Sequence, residues 1–307
     1  MESNKNSPST RDQREDAEQN QQNQQERQDK QDQQDKQDKQ DQQDQQDKQE
    51  RREEPRLNKQ RHFLLKQLIR RDFQDRYKNT FLGVIWSMLS PLLQFVTQAL
   101  IFSYFFRRGE HFISYLIVGN IIYSYFSDAT GQSMFAFTSN IGIISRIRID
   151  KKLFLISKNI ACLINFFLTM LIMFLIVMID GIQPDIIWIG LCYPVFCLFF
   201  FNMGIGYILA TLHIFFRDTQ YFYGLIVRNL MYFSAIFYSV SAFPEHIRQL
   251  FLLNPVYPYI DYSRSVIIYK TLPSVEVHFL CFFYALFFFL TGKIVYAMNN
   301  RRFFNYY

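Results

Sequence analysis

The most constraining feature of the sequence is a change from charged to apolar residues at Asn79, within the segment Arg70 to Leu93, RRDFQDRYKNTFLGVIWSMLSPLL. No charged residue occurs between Lys78 and Arg107. A helix formed by the residues between them is long enough to cross the hydrocarbon core of a bilayer, which is about 30 Å thick. The segment therefore predicts a helix that lies on a membrane surface and then turns into the membrane, with a soluble region before it and a membrane region after it.

The residues just before the apolar run show the pattern of an amphipathic helix. The apolar side chains share one arc of a helical wheel: Leu64, Leu65, Leu68, Ile69, Phe73 and Tyr77. The polar side chains lie opposite: Gln67, Arg70, Arg71, Gln74 and Lys78. Asp72 and Arg76 interrupt the apolar arc, and their i,i+4 spacing predicts that they pair with each other. The pattern predicts a cytoplasmic interfacial helix, with an ordinary basic juxtamembrane anchor as the alternative.

Residues 1–54 form a Gln-, Asp- and Lys-rich tail with almost no apolar side chain. Such a composition cannot bury enough surface to offset the entropy of ordering the chain, so it predicts a disordered tail. The tail carries 10 Lys and Arg against 16 Asp and Glu, a net charge of −6, which leaves +12 for residues 55–307. The positive charge belongs to the membrane region, where it suits basic loops beside lipid headgroups, and it is no sign of nucleic-acid binding.

The apolar runs after Asn79 predict an all-α membrane protein with six transmembrane helices. The predicted spans lie at about 83–106, 111–133, 156–179, 186–213, 221–240 and 277–298. Lys and Arg concentrate in the loops on the side of both termini, so the positive-inside rule places both termini, and the 1–54 tail, in the cytoplasm. The external connection from Ser241 to Pro273 contains four prolines, which predict short re-entrant or interfacial helices instead of a seventh span.

Little in the sequence indicates catalysis. Gly292–Lys293 comes closest to a phosphate-binding loop, but Phe287 stands where the first glycine is needed, so ATP must be bound by a different chain. The four cysteines lie in apolar runs without a C-x-x-C motif, and the five histidines lack metal-ligand spacing. Asp128 has no carboxylate neighbour with which it would form an acid–base pair. No catalytic, cofactor or metal site is predicted.

Three separated motifs carry a family resemblance. They are Arg71–Asp72 with Arg76–Tyr77–Lys78, Leu82–Gly83, Trp86 and Pro91; then Arg217–Asp218; then Asn254–Pro255 with Arg264. In this order on a six-span frame, they resemble the ABC-2 type membrane permeases that export bacterial polysaccharides. The resemblance covers residues 57–307 and leaves the tail outside it.

The resemblance implies a homodimeric permease of the bacterial cytoplasmic (inner) membrane. Each subunit would bind a separate ABC ATPase, which holds ATP and Mg, and the dimer would export a lipid-linked O-antigen, teichoic acid or related glycan. The interfacial helix, the loop after the second span and the Arg217–Asp218 turn are where such permeases meet their ATPase. The implied ATPase-coupling residues are Arg70, Arg71, Asp72, Arg76, Tyr77, Arg146, Arg148, Asp150, Arg217 and Asp218. For the basic loop, simple anchoring to membrane lipids is the alternative.

A path for a glycan needs aromatic faces and hydroxyl or amide groups with little fixed charge. Spans one and five offer such side chains, and the candidates are Trp86, Ser90, Gln94, Thr97, Gln98, Tyr232, Ser234 and Tyr238. The alternative is that these polar groups only join helices. The candidate external gate comprises Asn254, Pro255, Tyr257 and Arg264.

Two other functional classes stay open at this point. One is an ABC-2 permease for a small molecule or drug, and the other is a membrane glycosyl- or acyltransferase. The proline-rich external loop and the motif around Arg71 favour glycan export over the first. The lack of a convergent acid, base or metal site disfavours the second.

Overall fold

The computed structural model describes residues 60–76, 85–105, 111–144, 150–240 and 243–299. The chain divides into two units, residues 1–64 and 65–307, and only residues 60–64 of the first are described. The predicted disordered tail, residues 1–54, therefore lies outside the described residues.

The regular structure of the described residues is helical, as the sequence predicts. The helices are α1 (60–75), α2 (Ile85–Phe105), α3 (Phe112–Met134), α4 (Ile141–Ile144), α5 (Lys152–Ile179), α6 (Cys192–Phe215), α7 (Thr219–Phe233), α8 (Glu245–Leu252), α9 (Tyr257–Ile267) and α10 (Val275–Asn299). A 3₁₀ segment, Ile186–Leu191, leads directly into α6, and the Asp185 side chain caps it by accepting a hydrogen bond from the Ile187 N–H at 3.0 Å.

Three helical segments are long and apolar enough to cross a membrane, namely Lys152–Ile179, Ile186–Phe215 and Val275–Asn299. They agree with the predicted third, fourth and sixth spans to within a few residues. Helices α2 and α3 have 21 and 23 residues. At about 1.5 Å per residue each is also long enough for about 30 Å of hydrocarbon. The count of six spans stays a prediction.

The helix at the predicted fifth span is shorter than the interval 221–240. Helix α7 has 15 residues and ends at Phe233, so at about 1.5 Å per residue it is about 22 Å long. The backbone of Ala235 is in the left-handed region, with φ 49°, and a helix cannot continue through that conformation. From Ser234 to Ser239 the backbone forms turns and bends and is not helical.

Helix α3 is the centre of the fold, because most of its residues are buried against α5, α6 and α9. Helices α6 and α10 make the largest contact between two helices. A Cβ on Gly204 would overlap the backbone of Phe288, and one on Gly292 would overlap the carbonyl oxygen of Gly204. The two backbones therefore touch at this point, as small residues allow in membrane helix pairs.

Candidate functional site

The buried face of α1 carries charged side chains in addition to apolar ones. Leu68 is 5% exposed and Asp72, one turn later, is 3% exposed. The Asp72 carboxylate accepts hydrogen bonds from Ser157 Oγ at 2.6 Å and from Arg71 Nη2 at 2.9 Å, and Lys158 Nζ lies 3.4 Å away. Asp72 therefore fixes α1 to the first turns of α5 through a buried, charged contact.

Arg76 makes the second charged contact of this region. Its Nη1 and Nη2 atoms donate to the two carboxylate oxygens of Asp128 on α3 at 2.7 and 3.0 Å, and Nη2 also donates to Cys162 Sγ at 2.9 Å. The predicted pairing of Asp72 with Arg76 is therefore wrong. The two side chains lie on the buried face, so each one reaches a partner on the body of the protein. Asp128, which has no acid–base neighbour in the sequence, has its partner in Arg76.

Arg71 connects α1 to the segment that follows α3. Its Nη2 donates to Asn140 Oδ1 at 2.7 Å, and the Asn140 Nδ2 donates to the Ala136 carbonyl at 2.8 Å. Asn140 is 4% exposed. One dipeptide, Arg71–Asp72, therefore contacts both Asn140, which follows α3, and the first turns of α5.

Beside these contacts lies an open cleft of about 270 Å³ between α1, α3 and α5. It is lined by Asp72, Asp75, Arg76, Gln132, Lys158 and Ala161. Asp75 stands at the rim, with 54% of its side chain exposed. The lining carries two acids and two cations, so its formal charge is balanced.

The remaining predicted coupling residues are at the surface or outside the described part of the chain. Tyr77, Arg146 and Arg148 lie outside it, and Arg70, Asp150, Arg217 and Asp218 are exposed. The Asp150 carboxylate accepts from the Lys152 N–H at 3.2 Å and so caps the start of α5. Lys151 beside it is buried, and burial lowers the pKa of its ammonium group. The sequence did not indicate that the Lys151 side chain is buried.

The predicted path residues on α2 differ in how exposed their side chains are. The side chains of Trp86 and Ser90 are not described, whereas Gln94 and Thr97 are exposed. The Thr97 hydroxyl donates to the Leu93 carbonyl at 2.9 Å, a local bond within the helix. The Gln98 Oε1 atom is buried and has no hydrogen-bond partner in the described structure. Gln94 and Thr97 are therefore on an exposed side of α2 in the single chain.

Helix α7 has no buried residue, although α3 and α6 both contact it. Tyr232 is 55% exposed, and Arg228 and Asn229 are exposed as well. On its contact face, the Tyr223 hydroxyl meets Thr130 Oγ1 and donates to the Ser127 carbonyl at 3.2 Å. Helix α7 is therefore attached to α3 along one side and uncovered on the other.

Helix α7 ends at Phe233, and we call the non-helical segment from Ser234 to Ser239 the break after α7. Side chains from other positions in the chain stabilise it. Asn254 Nδ2 donates to the Phe233 carbonyl at 3.1 Å and to Ser234 Oγ at 2.9 Å. The Tyr238 hydroxyl donates to the Tyr232 carbonyl at 2.7 Å. The last carbonyls of a helix lack helical N–H partners, so these donors replace them.

Arg264 completes this arrangement from the interior. It is 1% exposed, and its guanidinium donates to the carbonyls of Ala235 at 2.9 Å, Ile236 at 3.1 Å and Tyr115 at 3.1 Å. The ring centroid of Tyr115 lies 3.4 Å from Arg264 Cζ. A Cβ on Gly119 would lie 2.5 Å from Arg264 Nη2, so glycine makes room for the guanidinium.

The predicted gate residues therefore have different positions. Asn254 and Arg264 are buried anchors of the break after α7, and Ser234 is buried beside them. Pro255 is half-buried. Tyr257 is buried at the start of α9, where it contacts Phe251, and its hydroxyl donates to Asp261 Oδ1 at 3.4 Å. Burial raises the pKa of the Asp261 carboxyl group, while the nearby charge of Arg264 acts in the opposite direction.

Several known proteins have sequences similar to this chain. The O-antigen export system permease protein RfbA of Klebsiella pneumoniae is 26% identical over 195 residues, which cover 63% of this chain and 75% of that protein. The protein of the same name from Myxococcus xanthus is 27% identical over 218 residues, 69% of this chain and 83% of that protein. The polysialic acid transport protein KpsM of Escherichia coli is 22% identical over 207 residues, 66% of this chain and 80% of that protein.

The family comparison covers the same part of the chain. Residues 64–268 match the ABC-2 type transporter family, a range that begins at α1 and ends just after α9. It includes the charged contacts of α1, the uncovered α7 and the anchored break. Because the match extends over most of its length, the chain belongs to the ABC-2 type transporter family.

Proposed function

We propose that this chain is the permease subunit of an ABC transporter that exports a lipid-linked polysaccharide, such as an O-antigen, a teichoic acid or a related glycan. Its relatives named for O-antigen export and polysialic acid transport support this substrate class. In this proposal the chain crosses the bacterial cytoplasmic membrane six times, with both termini in the cytoplasm. A separate ATPase binds ATP and Mg and supplies the energy.

The observation that carries the proposal is the uncovered side of α7. This helix exposes Arg228, Asn229 and Tyr232 within the membrane region of the chain. Charged and amide groups are costly in contact with lipid tails, so this side needs a protein or an aqueous path in front of it. A second copy of the chain would supply the protein, and a glycan path between two copies would supply the water.

Helix α2 supports the same assembly, because Gln94 and Thr97 are also exposed on a helix of the membrane region. Hydroxyl and amide groups suit the hydrogen bonds of sugar hydroxyls, and the Tyr232 ring suits stacking on a sugar face. We therefore assign Gln94, Thr97 and Tyr232 to the path of a homodimer. The ATPase would dock on the exposed Arg70, Asp150, Arg217 and Asp218 and on the connections that carry them.

A thiol-accessibility experiment tests the path. Cys192 is exposed whereas the other three cysteines are buried, so a Cys192→Ser background removes the exposed thiol. In reconstituted full-length protein, Gln94→Cys is expected to react with a charged, water-soluble thiol reagent. Leu171→Cys is the control, because Leu171 is 57% exposed on the apolar α5 and should face lipid. Equal protection of both cysteines in the presence and absence of nucleotide would refute a water-filled path at Gln94.

A genetic experiment tests the cargo. Deletion of the gene is expected to remove the surface glycan while its lipid-linked precursor accumulates inside the cell. An intact surface glycan with a small compound retained in the cell would instead identify a small-molecule permease. A precursor that is never made would point to a membrane enzyme.

A further inference from the structure

We propose that Asp72 is a positioning residue that holds α1 to Asn140, which follows α3, and to the first turns of α5, so that the partner ATPase meets α1 and the start of α5 as one surface. The proposal rests on the proposed function, which assigns the ATPase contact to these two regions. It goes further by naming the residue that makes them move together.

The first contact of the lock is with α5. Asp72 accepts from Ser157 Oγ at 2.6 Å, and Lys158 Nζ lies 3.4 Å from the same carboxylate. The side chain of Asp72 is 1% exposed and Ser157 is fully buried. A buried carboxylate is stable only when it is paired and hydrogen-bonded, so Asp72 and the first turns of α5 depend on each other.

The second contact is with Asn140, which follows α3. Arg71 Nη2 donates to both Asp72 Oδ1 at 2.9 Å and Asn140 Oδ1 at 2.7 Å. A continuous chain of polar contacts therefore runs from Asn140 through Arg71 and Asp72 to Ser157. Asn140 and Ser157, which are 17 positions apart in the sequence, are held by adjacent residues of one helix.

The third contact prevents α1 from rotating away. Arg76, one turn after Asp72, forms two hydrogen bonds with Asp128 on α3, at 2.7 and 3.0 Å. Helix α1 is therefore attached to α5 through Asp72 and, through Arg76 directly after its last residue, to α3. A movement of α1 is therefore transmitted to α3 and α5 through these contacts.

The local charge explains why an acid is needed. The connection between α3 and α5 and the start of α5 carry Arg146, Arg148, Lys151, Lys152 and Lys158. Asp72 supplies a buried negative charge 3.4 Å from Lys158 Nζ and so offsets part of this positive charge. Asp75, three residues later, is more than half exposed and lies 3.9 Å from Arg71 Nε. It is the matched control on the same helix.

The test is limited proteolysis of the full-length protein reconstituted in lipid. Trypsin cleaves after Lys151 and Lys152, at the start of α5, and mass spectrometry of the fragments measures the rate at these two bonds. Asp72→Asn keeps the size of the side chain but removes the charge. Loss of a charge-assisted hydrogen bond is expected to raise the cleavage rate about tenfold, whereas Asp75→Asn should match the wild type.

A second variant keeps the test decisive if Asp72→Asn does not fold. Ser157→Ala removes one hydrogen bond to Asp72 and introduces no new charge, and it is expected to raise the same cleavage rate several-fold. Wild-type cleavage rates in both variants would overturn the lock. This readout does not involve the ATPase, so it decides the lock even if the wild-type chain binds no ATPase and the proposed function fails.

The positioning role is tested by export in cells. Surface glycan per permease molecule in the membrane is expected to fall about tenfold in Asp72→Asn, while the ATPase still co-purifies through the exposed docking residues. Asp75→Asn should export normally. If export falls only in proportion to the amount of permease, Asp72 contributes to stability alone and the positioning role is overturned.

Discussion

Replacement of Arg264 by methionine tests the account of the break after α7. The change removes the donors to three buried carbonyls, those of Tyr115, Ala235 and Ile236. An unpaired buried carbonyl costs about 1–3 kcal/mol. Tyr115 lies within α3, where a helical N–H also serves its carbonyl, so most of the loss falls on Ala235 and Ile236. The free energy of unfolding should therefore decrease by about 3–5 kcal/mol.

The assay is thermal unfolding of the purified full-length protein in detergent. For a chain of this size, 1 kcal/mol corresponds to a change of about 2–4 °C in Tm, so Arg264→Met should lower Tm by about 6–20 °C. Arg248→Met is the matched control, because Arg248 is exposed and its guanidinium donates to the Phe243 carbonyl at 2.7 Å. The control should lose about 1 kcal/mol or less.

A third variant separates charge from geometry. Arg264→Lys keeps the positive charge, but a compact ammonium cannot reach three carbonyls that match a planar guanidinium. We expect a Tm between those of Arg264→Met and the wild type. If Arg264→Met melts within about 2 °C of Arg248→Met, the three carbonyls do not depend on Arg264 and the reasoning fails.

Two further predictions concern helix contacts. Gly204→Ala should lower Tm strongly, because a Cβ at this position overlaps the Phe288 backbone. Gly131→Ala is the control and should be tolerated, because its Cβ would meet only Tyr223 Cε1, at 3.7 Å. Equal Tm values for the two variants would contradict the backbone contact of α6 and α10. Arg76→Gln and Asp128→Asn should show an interaction energy of about 0.5–3 kcal/mol in a double-mutant cycle of unfolding; strictly additive effects would mean that the ion pair contributes nothing.

The long apolar helices could be predicted from the sequence because their signal is local. A run of apolar residues bounded by charges has few other solutions in a bilayer. The predicted intervals 156–179, 186–213 and 277–298 differ by only a few residues from Lys152–Ile179, Ile186–Phe215 and Val275–Asn299. The charges that bound the runs set the approximate ends, and capping groups such as Asp185 determine the exact ones.

The end of α7 could not be predicted in the same way. The sequence from Phe233 to Val240 contains neither glycine nor proline, so nothing local marks the left-handed conformation of Ala235. That conformation depends on donors supplied by Asn254 and Arg264, which follow 19 and 29 positions after Ala235 in the chain. The family motif, Asn254–Pro255 with Arg264, identified both residues, but it did not indicate which carbonyls they bind.

The contacts of α1 show the limit of pairing rules within a helix. The i,i+4 spacing of Asp72 and Arg76 predicted one local pair, whereas each residue binds the body of the protein. Their partners Ser157 and Asp128 are 85 and 52 positions away. An acid and an arginine that interrupt an apolar arc are therefore better interpreted as a buried contact face than as a surface pair.

The position of Arg264 has an electrostatic consequence. Aligned peptide dipoles give the carboxyl end of a helix about half a negative charge, and the guanidinium lies against the carbonyls that follow the end of α7. The helix dipole offsets part of the positive charge, and among the described residues no carboxylate forms a salt bridge with Arg264. The buried guanidinium therefore offsets the negative end of this dipole from the interior, and the fixed charge that α7 itself exposes is that of Arg228.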